Sequence, residues 1–94
     1  MKYYDWNPDK NEWLKQEREV CFEDVKAALE AGKLIGVIPN PNTTRYPAQK
    51  VFFVEINGYV YVVPFVEDEE KIFFKTVIPS RKATKKYLKN KKKP

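Results

Sequence analysis

The chain has 94 residues, 43% of them apolar, with six Phe, six Tyr and two Trp, which suits one domain with a real core and excludes an intrinsically disordered body. One cysteine, Cys21, excludes an internal disulfide and a Cys-based zinc site, and without His any metal site would be all-oxygen, so no metal or cofactor is expected. The net charge of +5 is uneven: from Arg81 onward there are eight Lys and Arg and no acid, whereas residues 1–80 carry ten against thirteen Asp and Glu. A basic end on a mildly acidic body suits a polyanionic partner such as RNA or DNA, and the plainer reading of a solvated tail carries equal weight.

The N-terminus has no long apolar run, so neither a signal peptide nor a membrane span is expected, and the cytoplasm is the default location. Residues 2–6 (KYYDW) read as a short strand. Asn7-Pro8-Asp9 then marks a helix start, with Asn as N-cap, Pro at the first helical position and an acid in the first turn. That helix runs to about Gln16, with Trp13 and Leu14 as its apolar face; both Trp6 and Trp13 read as core. The next helix, residues 20–31, places Phe22, Val25, Ala28 and Leu29 on one stripe and ends at Gly32. Residues 34–38 (LIGVI) form a short strand stopped by Pro39. Residues 39–49 hold three prolines and read as a loop whose sizeable functional side chains are Arg45 and Tyr46.

Residues 50–79 read as a three-strand antiparallel meander. Asn57-Gly58 is its hairpin signal, pairing Ile56 with Tyr59, Val54 with Tyr61 and Phe52 with Val63. Both faces of this hairpin are apolar, so helices should cover one and partly the other. Pro64 reads as a bulge or the start of strand divergence, because a central strand needs its N–H groups. Residues 67–70 (EDEE) make the second turn. Residues 72–78 return as one strand, with Phe73, Lys75 and Val77 on one face and Phe74, Thr76 and Ile78 on the other. Ser80 caps a last helix from Arg81 to about Lys89, and residues 90–94 form a frayed basic tail. The fold class is therefore α+β: a small antiparallel sheet with two N-terminal helices and a basic C-terminal helix.

Three stretches together resemble the BrnT family of toxins from bacterial type II toxin–antitoxin modules. Tyr4-Asp5-Trp6-Asn7-Pro8-Asp9-Lys10 is similar to the family's aromatic-acid-Trp-Asp-x-x-Lys opening. Val20-Cys21-Phe22-Glu23-Asp24-Val25 is similar to its Val-Ser-Phe-Glu-Glu-Ala. Ile78-Pro79-Ser80-Arg81-Lys82-Ala83-Thr84 is similar to its Ile-Ser-Ala-Arg-Lys-Ala-Thr. Where many members carry Lys-His-Gly, this chain has Glu17-Arg18-Glu19, and an Arg often found on the last strand falls at Thr76, beside Lys75. The resemblance implies a RelE-like ribonuclease fold and RNA cleavage that blocks translation. It also implies neutralisation by a cognate antitoxin, with DNA reached only through that antitoxin.

Metal-independent RNA cleavage needs a base for the 2′-hydroxyl, an acid for the leaving oxygen and cations around the phosphorane-like transition state. Arg81 is the first choice for phosphate contact, since guanidinium binds phosphate bidentately; its plainer alternative is a carboxylate partner. Lys75 projects from the strand entering the junction, or simply snorkels at the sheet. Glu55 is a candidate base, or a partner for a lysine. Lys50, Lys82, Lys85 and Arg45 are candidates for holding RNA. A catalytically silent RNA- or antitoxin-binding module on the same fold is the rival reading.

Overall fold

Asn57 and Gly58 take positive φ values of 53° and 78°, the left-handed pair that a tight two-residue hairpin turn requires. They fix the register of β3 (Lys50–Ile56) against β4 (Tyr59–Glu67), and Ile56, Val54 and Phe52 face Tyr59, Tyr61 and Val63 as expected. The description is of a computed structural model and covers residues 2–40, 44–45 and 49–89. Tyr46 and the tail at 90–94 therefore lie outside the described residues.

The return strand is broken rather than continuous. β5 (Lys71–Phe74) pairs Phe74 with Phe65, and β6 (Ile78–Pro79) pairs Ile78 with Val62. Three residues, Lys75 to Val77, thus oppose two on β4, Val63 and Pro64. The extra residue lies opposite the proline, whose ring nitrogen has no N–H to offer, while the Pro64 carbonyl still accepts from Lys75 N at 2.8 Å. The bulge also changes parity. Val77, expected on the face of Phe73, is fully buried in the same core as Phe74.

β1 (Tyr3–Trp6) pairs parallel to β5, so the sheet is mixed rather than wholly antiparallel as expected, and β2 (Leu34–Pro39) pairs antiparallel to β3. The sheet order is β1-β5-β4-β3-β2, with β6 on β4. The acidic turn is held by Asp68, whose carboxylate accepts from the N–H groups of Glu70 and Lys71; those bonds lower its pKa.

α1 (Pro8–Glu17) starts at Asn7, whose side chain accepts from the N–H groups of Asp9 and Lys10. Its buried residues are Asn11 and Leu14, not Trp13. Trp13 is 41% exposed, with Lys10 and Arg18 over its ring at 4.2 and 4.9 Å from the centroid. The buried Asn11 amide does the work that sequence assigned to a second apolar residue. Its oxygen accepts from Phe22 N and its nitrogen donates to Glu23 Oε1, both at 2.8 Å, which ties α1 to the first turn of α2 (Phe22–Glu30).

Leu14, Phe22, Val25 and Ala28 of these helices pack on Phe52, Val54, Val63, Phe65, Phe74 and Val77. Phe74 is central: its ring stacks with those of Tyr4, Trp6 and Phe22 and meets Phe52 edge-on. Among the described residues, no helix is long and apolar enough to cross a membrane.

Candidate nucleic-acid interface

Residues paired directly across an antiparallel sheet share a face, and alternate residues along a strand swap faces. The face away from α1 and α2 therefore carries Val51, Phe53 and Glu55 of β3, with Val60, Val62, Pro64 and Val66 of β4. Among the described residues, a short helix covers it. α3 (Arg81–Thr84) continues as a π-helical turn (Lys85–Lys89), where one uninterrupted α-helix was expected.

The sequence Ser80-Arg81-Lys82-Ala83-Thr84 divides by role. Ser80 Oγ accepts from Ala83 N at 3.1 Å and closes the first turn. Ser80 N donates to the Val60 carbonyl at 3.0 Å, which continues the β6–β4 ladder into the helix. Thr84 Oγ1 accepts from Val60 N at 2.9 Å and donates to the Ser80 carbonyl at 2.8 Å, so one hydroxyl joins helix to strand. Ala83 is buried above β4, where a larger side chain would hold the helix off. Arg81 and Lys82 remain exposed, and neither makes an ion pair or side-chain hydrogen bond among the described residues. The alternative of a carboxylate partner for Arg81 is thus not realised there.

Among the described residues, two hollows open on this face. One, of about 190 Å³, is lined by Phe53, Ser80, Lys82, Ala83, Lys86 and Tyr87, with the Phe53 and Tyr87 rings 5.8 Å apart. The other, of about 390 Å³, lies at the bulge and is lined by Asn40, Gln49, Pro64, Lys75, Thr76 and Ile78. They adjoin along the sheet, since Phe53 and Gln49 flank Val51, and Ser80 and Ile78 flank Pro79. Cations beside half-buried aromatic rings are groups that a single-stranded nucleic acid can engage through phosphate contact and base stacking.

The other anticipated residues are more scattered. Lys75 lines the larger hollow and rests 5.5 Å from the Phe73 ring centroid. Glu55 lines a separate hollow with Asp24, Ala27, Ala28 and Lys33, so Glu55 and Lys75 do not share one hollow. Lys50 faces the opposite side of the sheet, paired across from Phe65, and its ammonium bonds Glu67 at 3.1 Å. It is a structural cation there, not part of the junction. Lys85 is exposed in the first turn of the π-helical segment, and Arg45 is exposed in a turn of the long loop.

Phe53 and Lys86 line the smaller hollow, and Gln49 the larger, without having been singled out as site residues in the sequence. A second tie also escaped it: Arg18 Nη1 donates to the Val77 carbonyl at 2.7 Å, anchoring the bulge to the end of α1.

Burial raises the Cys21 thiol pKa, the reverse of what an activated nucleophile needs. Burial likewise raises the Tyr61 pKa, with Tyr59 adding to it. Among the described residues no three carboxylate or thiol side chains converge as a cation site. Comparison with family models, with curated proteins and with solved structures finds no match for this chain.

Proposed function

We propose that this chain is a BrnT-like toxin of a type II toxin–antitoxin module, cleaving cytoplasmic RNA and held silent by a cognate antitoxin over its basic junction. The observation that carries the reading is the division of Arg81-Lys82-Ala83-Thr84. Ala83 and Thr84 are consumed in docking the helix, and Arg81 and Lys82 are left pointing to solvent beside a cationic, aromatic-lined hollow.

Two departures from the family pattern also support the alignment. Glu19 stands where members have Gly, and its φ is +54°, a left-handed conformation that glycine adopts without strain. Cys21 stands where members have Ser, at the N-cap of α2. In each case the backbone calls for the family's residue.

In this reading Arg81 binds the scissile phosphate, Lys82 and Lys85 hold the flanking backbone, and Lys75 adds positive charge at the bulge. Induced expression without an antitoxin is expected to arrest growth with loss of intact messenger RNA. Arg81→Ala is expected to abolish the arrest while leaving the thermal transition in place. Normal growth on expression of folded wild-type protein would sink the toxin reading.

A second reading, an RNA- or antitoxin-binding module without catalysis, draws on a specific observation: Glu55 and Lys75 line different hollows, so these two do not stand as an acid–base pair around one phosphate. It predicts RNA binding with no cleavage and no effect of Arg81→Ala on growth.

A further inference from the structure

The sheet ends in two edge strands that are finished differently. At β1 the Trp6 N–H donates to Asp5 Oδ1 at 2.9 Å, which puts a charge at that edge and occupies a donor another strand would need. β2 has no such feature. Its six residues, LIGVIP, carry no charge, and Leu34, Val37 and Ile38 are 41, 45 and 38% exposed. Among the described residues, β3 is the strand that pairs with it. Alternate residues of an antiparallel strand turn their backbone groups toward the same neighbour. Asn40 N donates to the Gln49 carbonyl at 2.9 Å, so Asn40, Ile38 and Gly36 address β3, and Val37 and Pro39 address the open side. Pro39 has no N–H to leave unpaired there.

We propose that β2 pairs antiparallel with β2 of a second copy of this chain, about a two-fold axis through Val37. In that register Val37 meets its own counterpart and exchanges two N–H to carbonyl bonds with it, Ile38 lies opposite Gly36, and Ile35 lies opposite Pro39. Gly36 and Ile38 pair with Phe53 and Val51, so both are on the face away from α1 and α2. Nothing lies within 4 Å of the place a Gly36 Cβ would take, and the exposed Ile38 of the other copy fills that space. The two-fold makes this contact twice. A strand that carries a bulky side chain and a gap on either side of one residue is complementary to itself, which selects a second copy as the occupant. With no charge on β2, no like charges meet across the axis. The irregularity between Leu34 and Gly36 and the proline at the end keep the open segment short. The pairing therefore buries an area at the low end of the interface range, below ~1,200 Å², and the dimer is weak, with a dissociation constant on the order of 10–100 μM. Residues directly opposite one another share a face, so both basic junctions lie on the same side of the joined sheet. The contact uses backbone and aliphatic groups alone and does not depend on what those junctions bind.

The test is sedimentation of the full chain in high salt from about 5 μM to about 1 mM, where mass action populates a weak dimer. The mass is expected to rise with concentration from the 11.1 kDa of one chain toward twice that value. Val37→Lys sets two ammonium groups together on the axis and should leave a monomer throughout. Gly36→Val should weaken the dimer at least roughly tenfold by filling the space that Ile38 needs. It should leave the thermal transition of the monomer in place, because Gly36 has no positive φ and its Cβ position is open. In a Cys21→Ser background, Val37→Cys should give a disulfide-linked dimer on mild oxidation, since a hydrogen-bonded antiparallel pair sets its Cα atoms about 5.5 Å apart. Leu34→Cys, far from the axis, should not. Should Val37→Lys or Gly36→Val fail to fold, the cross-links decide. A monomer across the whole concentration range overturns the proposal. So does a dimer that survives either substitution, or a cross-link that forms at position 34 and not at 37.

Discussion

The two faces of the sheet are built to different ends. The face under α1 and α2 is closed by stacked rings, with Phe22 and Phe74 fully buried, and its cations are spent on carboxylates: Lys2 and Lys50 both bind Glu67. Among the described residues, the other face is capped by one short helix that docks through Ala83 and Thr84. Its cations at 75, 81, 82 and 85 have no carboxylate partner among the described residues. A surface that needed only stability would not leave like charges unpaired over half-buried aromatic rings. The first face holds the fold, and the second is held by it.

Substitutions should separate the two. The largest stability effect is expected at Phe74. Removing a ring that contacts four others leaves a cavity, and Phe74→Ala should cost about 3–5 kcal/mol in urea unfolding. Phe53→Ala, on the thinly covered face, removes one ring contact from a half-buried site and should cost less than half as much. Equal losses would dissolve the distinction between the faces.

Asn11→Ala comes next. It strands the Phe22 N–H and should cost about 1–3 kcal/mol. It also carries a pH signature. The Asn11 hydrogen bond is the main cause of the lowered Glu23 pKa, so that contribution is present at neutral pH and lost as pH falls through the lowered value. The variant should therefore lose less stability than the wild type over that acid window, read by urea titrations at several pH values.

The parts of this architecture legible in the sequence were those with short-range causes. The Asn57-Gly58 turn fixes the β3–β4 register, Asn7 and Ser80 act as caps, and the stripe from Phe22 to Ala28 is the buried face of α2. What was missed depends on distant partners. Nothing near Asn11 in the sequence signals its burial, which follows from the free N–H groups that α2 presents to it. Val77 reads as the partner of Phe73 until a proline on the neighbouring strand forces the bulge. The candidate site was half legible. Arg81 and Lys82 stand out in a basic helix, and their freedom follows only from seeing what Ala83 and Thr84 touch. Lys50 carries the same charge, and the parity of β3 places it on the wrong side.

A smaller effect is expected at the end of α1. Glu19 holds a left-handed φ that a side chain disfavours by roughly 1–2 kcal/mol, and the gain from glycine is partly offset by the freedom it adds to the unfolded chain. Glu19→Gly should thus stabilise the protein by about 0.5–1 kcal/mol. A destabilised variant would remove one support for the family alignment.

The smallest stability effect belongs to the residues that matter most for the proposed function. Arg81→Ala and Lys82→Ala delete exposed side chains without a partner, so each should change unfolding stability by no more than about 0.5 kcal/mol. In Lys82→Ala, Ser80 still caps the helix, Ala83 still fills its place on β4 and Thr84 still bridges to Val60. RNA affinity should nevertheless fall, and a plot of log affinity against log salt should lose about 0.7 of slope, the value of one phosphate contact on a single strand. Stability unchanged with the slope reduced is the pairing that only a ligand-facing cation produces. A loss of stability with the slope intact would make Lys82 part of the scaffold and remove it from the interface.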